Sequence, residues 1–229
     1  MSNIIIVESK NDAIFMQGMV DKLNCDIQVE PPIYIDDYKT LEGLNEKKLI
    51  TILNDLKADI QRQDIEKIGI ILDIDNYSEP ERLEWVNKCI QKVFKSETLS
   101  STKRFIDIYG DNETNAKLAC YFTNFEGKGE LETLLKAIKA RESPYADCLD
   151  SWRSCIKEKE GKEIKQKDFD KFWINNYLRY DTCSKQDQKQ AEKKCSMHGF
   201  DYVMEHKKDI WDWDNPALDD LKEFFTLFC

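Results

Sequence analysis

The stretch that decides the fold is "KIGIILDID", residues 67–75. Its apolar side chains occupy successive positions, so an extended chain here is apolar on both faces. "NIIIV", residues 3–7, has the same character. Strands that are apolar on both faces are typical of a parallel sheet that helices cover on each side. The two stretches therefore predict buried strands of an α/β fold.

Strand and helix patterns alternate outward from these two stretches. Further strands are predicted at residues 31–35 ("PPIYI"), 103–110 and 116–122. Helices are predicted over residues 12–24, 46–62 and 130–140, and from Ser78 and Pro80, a cap and first turn, towards Val93. This alternation predicts a mainly parallel sheet flanked by helices.

After residue 140 the strand patterns vanish, and charged helical segments with aromatic side chains replace them. We therefore predict an α/β domain over residues 1–140 and an α-helical C-terminal extension over residues 141–229. The extension packs on the α/β domain, as part of it, or lies beside it. Its tryptophans offer a base-stacking surface, although aromatics at helical spacing are more typical of a core. They are Trp152, Trp173, Trp211 and Trp213.

The composition excludes several classes of protein. A net charge of -10 argues against gripping nucleic acid through bulk positive charge, yet allows an acidic metal site with a local basic groove. No stretch reaches the ~18 apolar residues of a membrane span, and no signal-peptide pattern opens the chain. The eight cysteines contain no CxxC, which predicts free thiols in a reducing compartment and a cytoplasmic location.

Carboxylates stand where the two apolar strands end. Glu8 follows "NIIIV", and Asp73 and Asp75 end "KIGIILDID". Strand alternation gives Asp73 and Asp75 a common direction, and ligands collect beyond the carboxyl ends of parallel strands. Asp12 lies one helical turn behind Glu8, where an acid also favours the start of its own helix.

Converging carboxylates repel one another, and a divalent cation removes that repulsion. Mg²⁺ is the natural candidate because it takes oxygen ligands and is held by one or two carboxylates together with a substrate phosphate. The alternative is that each acid caps a helix or faces water. The pattern therefore favours a metal site without excluding separate roles.

"IIIVESKNDAIF", residues 4–15, followed by "GIILDIDN", residues 69–76, resembles the Toprim domain. This domain occurs in topoisomerases, bacterial primases, recombination proteins and overcoming-lysogenization-defect nucleases. Glu8 matches its first glutamate, Asp73 and Asp75 match its DxD, and the Glu8–Asp12 spacing resembles the nuclease branch. "GELE", residues 129–132, resembles a "GxLE" segment of small stand-alone Toprim-like proteins of unknown function. The resemblance covers residues 3–140.

The resemblance implies Mg²⁺-assisted phosphoryl transfer, with Mn²⁺ as a substitute. Its implied metal ligands are Glu8, Asp12, Asp73, Asp75 and Glu132. Glu8 could instead act as a general base or acid, and Lys128 could neutralise the phosphate or be an ordinary loop lysine. Ser9 departs from the family pattern, since many Toprim domains have glycine there.

The function that follows is a nuclease acting on DNA or RNA, with a role in defence against foreign genetic elements implied by resemblance alone. The rival is a non-catalytic module that binds or regulates nucleic acid, nucleotide or a protein partner, a second copy included. The net charge of -10 favours the rival, and intact carboxylates at each motif position favour the enzyme. No membrane partner is expected.

Overall fold

The structure, a computed structural model, describes residues 2–25, 27–30, 45–60, 65–110, 115–159 and 161–229. The chain divides into two compact units, Met1–Thr123 with Asp219–Cys229, and Asn124–Leu218. The boundary predicted at residue 140 stays a prediction, because compactness alone does not show which parts fold independently.

Five strands form one sheet among the described residues, in the order β2-β1-β3-β5-β4. The strands are β1 (Ser2–Val7), β2 (Gln28–Glu30), β3 (Ile65–Asp73), β4 (Ile106–Tyr109) and β5 (Asn115–Thr123). Only the β4–β5 pair of this sheet is antiparallel. The predicted mainly parallel sheet is confirmed.

Helices account for most of the remaining described chain. They are α1 (Lys10–Leu23), α2 (Glu46–Ile60), α3 (Glu79–Val93), α4 (Leu131–Ala137), α5 (Pro144–Glu158), α6 (Gln166–Asn176), α7 (Ala191–Lys194), α8 (Phe200–His206) and α9 (Asp219–Thr226). A π-helix, Tyr177–Asp181, continues α6. None of the described helices is long and apolar enough to cross a membrane.

Helices cover both faces of the sheet in the first unit. One face belongs to a buried cluster that joins Ile6 and Ile70 to Leu53 of α2 and Val86 of α3. On the other face, a Cβ at Gly69 would lie 2.9 Å from the Phe228 ring and 3.2 Å from the ring of Phe224 in α9, so a larger residue would push these rings away. Burial on both faces explains why the strands carry continuous apolar runs.

Most of the predicted elements are present with small changes at their ends. The helix predicted from Ser78 begins there with a capping box, and it runs to Val93. The predicted strand at residues 31–35 lies outside the described residues. Residues 28–30 instead form β2, a three-residue strand that the sequence did not predict. After residue 140 the described residues contain helices and no strand of the sheet, so the predicted helical C-terminal part is confirmed.

The prediction of free thiols is wrong for four cysteines. Cys25 pairs with Cys229 in the first unit, and Cys183 pairs with Cys195 in the second. Their Cα atoms lie 5.1 and 5.6 Å apart, within the normal range for disulfides. The other four are free as predicted: Cys89 and Cys120 are buried, and Cys148 and Cys155 are exposed.

An aromatic cluster forms part of the core of the second unit. Trp173 stacks on Tyr177 at 5.3 Å between ring centroids, and Tyr177 lies 5.7 Å from Trp211. The Tyr177 hydroxyl donates to the Ile210 carbonyl at 2.9 Å, and burial raises the pKa of Tyr177 to about 12. Trp173 of α6 is buried, as its helical spacing favours, and Trp211, which lies outside the described helices, is buried as well, whereas Trp152 is 42% exposed.

Candidate functional site

Glu8 and Asp73 meet where two neighbouring parallel strands end. Val7, the last residue of β1, pairs with Ile71 of β3. The chain therefore leaves both strands at the same edge of the sheet. There the backbone N–H of Asp73 donates to the Oε2 atom of Glu8 at 3.3 Å. The predicted proximity of these two acidic residues is present.

A buried arginine from α3 lies among the acids. Arg82 is 5% exposed, and its Nε donates to the Asp73 carbonyl oxygen at 3.1 Å. Its Nη2 atom lies 3.6 Å from Glu8 Oε2 and 3.9 Å from Asp75 Oδ2. The rings of Tyr77 and Trp85 lie within 5.2 Å of its Cζ, which adds cation–π attraction. One guanidinium thus contacts all three acidic residues of the two strand ends.

The carboxylate of Asp75 points into this cluster because of a backbone turn that strand alternation did not predict. β3 ends at Asp73, so the two-residue period of a strand does not extend to Asp75. Asp75 instead has a φ of 54°, in the left-handed region that costs a non-glycine residue of order 1–3 kcal/mol. The turn aims its carboxylate at Arg82, while Ile74 between the two acids is buried.

Asp12 makes the contacts of a residue at the start of a helix. Its backbone N–H donates to the Ser9 hydroxyl at 3.3 Å, and the same hydroxyl donates to Asp12 Oδ2. Ser9 is the N-cap of α1, and Asp12 lies in the first turn, where the helix dipole favours an acid. Asp12 is 4% exposed, so these contacts lie in a protected place.

Lys128 and Glu132 lie in the second unit. Lys128 is exposed in a short turn closed by backbone hydrogen bonds with Phe125 at 2.9 and 3.2 Å. Glu132 lies in the first turn of α4, and burial, followed by the charge of Glu130, raises the pKa of its carboxyl. The structure therefore assembles Glu8, Asp73 and Asp75 in one unit and places these two residues in the other.

Glu130, which the sequence analysis did not single out, is the buried acid of the "GELE" segment. It is 3% exposed, and its Oε2 lies 2.8 Å from Lys167 Nζ and 3.5 Å from Lys171 Nζ. Its Oε1 is also buried and accepts no hydrogen bond from the described residues. Close to Glu132, the buried carboxylate of Glu130 thus forms ion pairs with two lysines of α6.

Arg82 was also missed, although the sequence carries a signal for it. It lies four residues before Val86 and eight before Ile90, which are buried on the core face of α3. A charged side chain in that register needs a buried partner, since an unpaired buried charge is costly. In the sequence alone, the three acids at the strand ends lacked a cation, and the arginine lacked an acid. Taken together, these two observations indicate that they form one cluster.

The chemical type of the ligand atoms in the cluster suits Mg²⁺. Glu8, Asp73 and Asp75 offer carboxylate oxygens, which hard divalent cations prefer. Among the residues that the structure describes, no three His, Cys, Asp or Glu side chains have the spacing of a formed metal site. In the described arrangement Arg82 supplies the cation that contacts Glu8 and Asp75.

Comparison with known proteins places the chain in a family. The model of the family described as "Protein of unknown function (DUF3226)" matches residues 2–229. The chain belongs to this family. No curated protein and no solved structure matches it.

Proposed function

We propose that this member of the DUF3226 family is a Mg²⁺-dependent nuclease that cleaves phosphodiester bonds in DNA or RNA. One observation carries the proposal: Glu8 Oε2 and Asp75 Oδ2 lie 3.6 and 3.9 Å from Nη2 of Arg82, and the Nε of the same side chain donates to the Asp73 carbonyl. Acidic side chains from two parallel strands thus converge on one point. They do so beyond the carboxyl ends of the strands, where open α/β sheets bind ligands.

Each residue of the cluster has a role in this proposal. Glu8, Asp73 and Asp75 would hold the ion, and the same oxygen donors suit Mn²⁺. A bound ion stabilises the charge that develops on a phosphodiester and lowers the pKa of a bound water. As an alternative to binding the ion, Glu8 takes the proton of the attacking water as a general base. Arg82 holds Glu8 and Asp75 close to each other before an ion binds.

Three further residues enter the proposal through the Toprim resemblance alone. Asp12 and Glu132 would be additional ligands, and Lys128 would contact the phosphate. The role in defence rests on the same resemblance, and a cytoplasmic location is proposed with it. These two claims are independent of the nuclease chemistry, so either can be wrong while the proposed activity is correct.

A non-catalytic binding or regulatory module is the second candidate. Arg82, which is 5% exposed, already provides a cation to Glu8 and Asp75, as it would in a structural ion-pair cluster. The net charge of -10 is also unfavourable for a protein that must approach a polyanion. Nucleic acid, a nucleotide, a protein partner or a second copy would be the ligand.

Cleavage assays with the purified full-length protein separate the candidates. Labelled single- and double-stranded DNA and RNA are incubated with Mg²⁺, Mn²⁺ or EDTA. We expect cleavage with either ion and none in EDTA. The Asp73→Asn, Asp75→Asn double variant should lose at least about 100-fold in rate, since two ion ligands are removed.

The control is Asp55→Asn, which removes an exposed carboxylate of α2 outside the cluster. It should cleave at the wild-type rate. Calorimetric titration with Mg²⁺ provides a readout besides activity, and the double variant should bind the ion more weakly while its circular dichroism is unchanged. Equal cleavage by the wild type and the double variant would sink the nuclease proposal.

A further inference from the structure

A surface cavity of about 370 Å³ lies in the second unit, beside α6, the π-helix and α7. We call it the aromatic cleft, after two exposed rings in its wall. Its lining includes Phe172, Asn176, Arg179, Tyr180, Glu192 and Ser196. None of these residues belongs to the acidic cluster of the first unit, so the cleft needs an explanation of its own.

The aromatic rings of the cleft are unusually exposed. Phe172 is 44% and Tyr180 is 57% exposed. Each extends to a second exposed ring, because Trp152 lies 5.3 Å from Phe172 and Tyr145 lies 5.9 Å from Tyr180. Six large apolar side chains are exposed among the described residues, and four of them form these two pairs. Clustered exposed apolar groups mark a binding surface more often than single ones do.

The π-helix brings the two rings to the same cleft. In a regular α-helix, eight residues would turn Tyr180 about 80° away from Phe172. The wider turn of the π-helix, Tyr177–Asp181, reduces the rotation per residue, and both rings line one cavity. Thr182 holds this turn through a hydrogen bond from its hydroxyl to the Tyr177 carbonyl at 3.2 Å. Such π-helical turns occur frequently at functional sites.

Cations extend the cleft on the side of α7. Arg179 and Glu192 also line a second cavity of about 490 Å³, together with Lys189 and Lys193. Within the described part of the chain, no ion pair involves Arg179, Lys189 or Lys193. Three cations beside one carboxylate form a local positive surface in a chain of net charge -10. This surface is complementary to a polyanion.

We propose that the aromatic cleft binds single-stranded nucleic acid. An unpaired base stacks on Phe172 and Tyr180, and Arg179, Lys189 and Lys193 contact the adjacent phosphates. Aromatic platforms beside a positive groove are the common means of binding single strands without sequence preference. The proposal deepens the nuclease function and rests on it for the class of ligand, although its test requires no cleavage.

Fluorescence anisotropy in EDTA tests the proposal with the full-length protein. The probes are a fluorescein-labelled 12-nucleotide oligothymidylate and the matching oligouridylate. Phe172→Ala and Tyr180→Ala should each weaken binding at least about fivefold, since each removes one stacking surface. Tyr109→Ala, which removes a 46% exposed ring from the first unit, is the matched control and should bind like the wild type.

The salt dependence separates base contacts from phosphate contacts. Arg179→Gln should reduce the slope of log Kd against log salt by about 0.7, the value for one phosphate contact to a single strand. Phe172→Ala should weaken binding without changing that slope. Circular dichroism must show that each variant is folded, and a variant that fails this check is replaced by Phe172→Leu or Tyr180→Leu.

Two results would overturn the proposal. One is wild-type affinity in the Phe172→Ala, Tyr180→Ala double variant. The other is no oligonucleotide binding by the wild type, and self-association that the double variant abolishes would then assign the surface to a second copy. Failure of the nuclease proposal has a different signature, namely cleft-dependent binding in EDTA with no cleavage in Mg²⁺.

Discussion

Two charged clusters, one in each unit, have opposite polarity. In the first unit the buried group is a cation: the Arg82 side chain is 6% exposed, against 13% for Glu8 and 24% for Asp75. In the second unit the buried group is an acid. In that cluster the cationic partners of the acid are exposed to water, and the carboxylate itself is buried.

The second cluster consists of Glu130, Lys167 and Lys171. The Glu130 side chain is 4% exposed, whereas the two lysines are 49% and 44% exposed. The exposed partner decides what such a cluster can bind. Partly exposed carboxylates can exchange an arginine for a metal ion, whereas exposed lysines around a buried glutamate can only approach an anion. The comparison therefore favours the first unit over the second as the place of the proposed metal site.

Removing the buried cation of the first unit should have the largest effect on stability. Arg82→Met leaves Glu8 and Asp75 facing each other without the guanidinium between them. Breaking a buried ion pair in this way costs about 3–5 kcal/mol. Urea denaturation followed by circular dichroism measures the free energy of unfolding.

Arg104→Met is the control, because Arg104 is exposed and should tolerate the change within about 0.5 kcal/mol. A second experiment introduces Arg82→Met into the Glu8→Gln, Asp75→Asn double variant. The loss in the free energy of unfolding should be smaller there than in the wild type, because the acids no longer carry charge. A loss below about 1 kcal/mol for Arg82→Met alone, the range of an exposed pair, would break the contrast between the clusters.

The sheet could be predicted from the sequence because burial on both faces leaves a direct trace. The apolar runs of β1 and β3 are that trace, and Glu8 and Asp73 were found because they end those runs. β2 left no such trace. It has only three residues, pairs with one strand at one edge, and carries polar side chains at both ends.

Other features could not be derived because they depend on contacts distant in sequence or on backbone angles. The Cys25–Cys229 disulfide joins residues 204 positions apart, and no local pattern specifies such a partner. The direction of Asp75 depends on its left-handed φ of 54°, which strand alternation does not contain. Arg82 differs from these features: its spacing from Val86 and Ile90 was a signal, but it was overlooked because arginines on helices are mostly exposed.

Removing the exposed cations of the second unit should have an intermediate effect. The Lys167→Met, Lys171→Met double variant leaves Glu130 buried without either lysine. We expect a loss of about 1–2 kcal/mol in the free energy of unfolding, since water screens pairs whose cations are exposed. Urea denaturation at pH 7 measures it. Lys162→Met with Lys185→Met, two exposed lysines of the same unit, is the matched control. A loss as large as that of Arg82→Met would show that exposure of the partner does not matter.

Glu132→Gln should have the smallest effect, and its sign depends on pH. Burial, then the charge of Glu130, raises the pKa of Glu132 above its ordinary value of 4.5. A carboxyl whose pKa is higher in the folded state stabilises the fold below pH 4.5, and this stability is lost as the pH rises through the folded pKa. Relative to the wild type, Glu132→Gln should therefore be more stable at pH 7 than at pH 4.

The comparison of the two clusters sharpens this last test. In a Glu130→Gln background the pKa of Glu132 should fall only part of the way to its ordinary value, because burial, the larger cause, remains. The pH dependence that Glu132→Gln removes should then be smaller but present, as urea denaturation at pH 4 and pH 7 would show. Glu158→Gln, at an exposed position of α5, should show no such dependence. If Glu130→Gln removes the whole effect, the charge of the buried Glu130, and not burial, governs the chemistry of its neighbour.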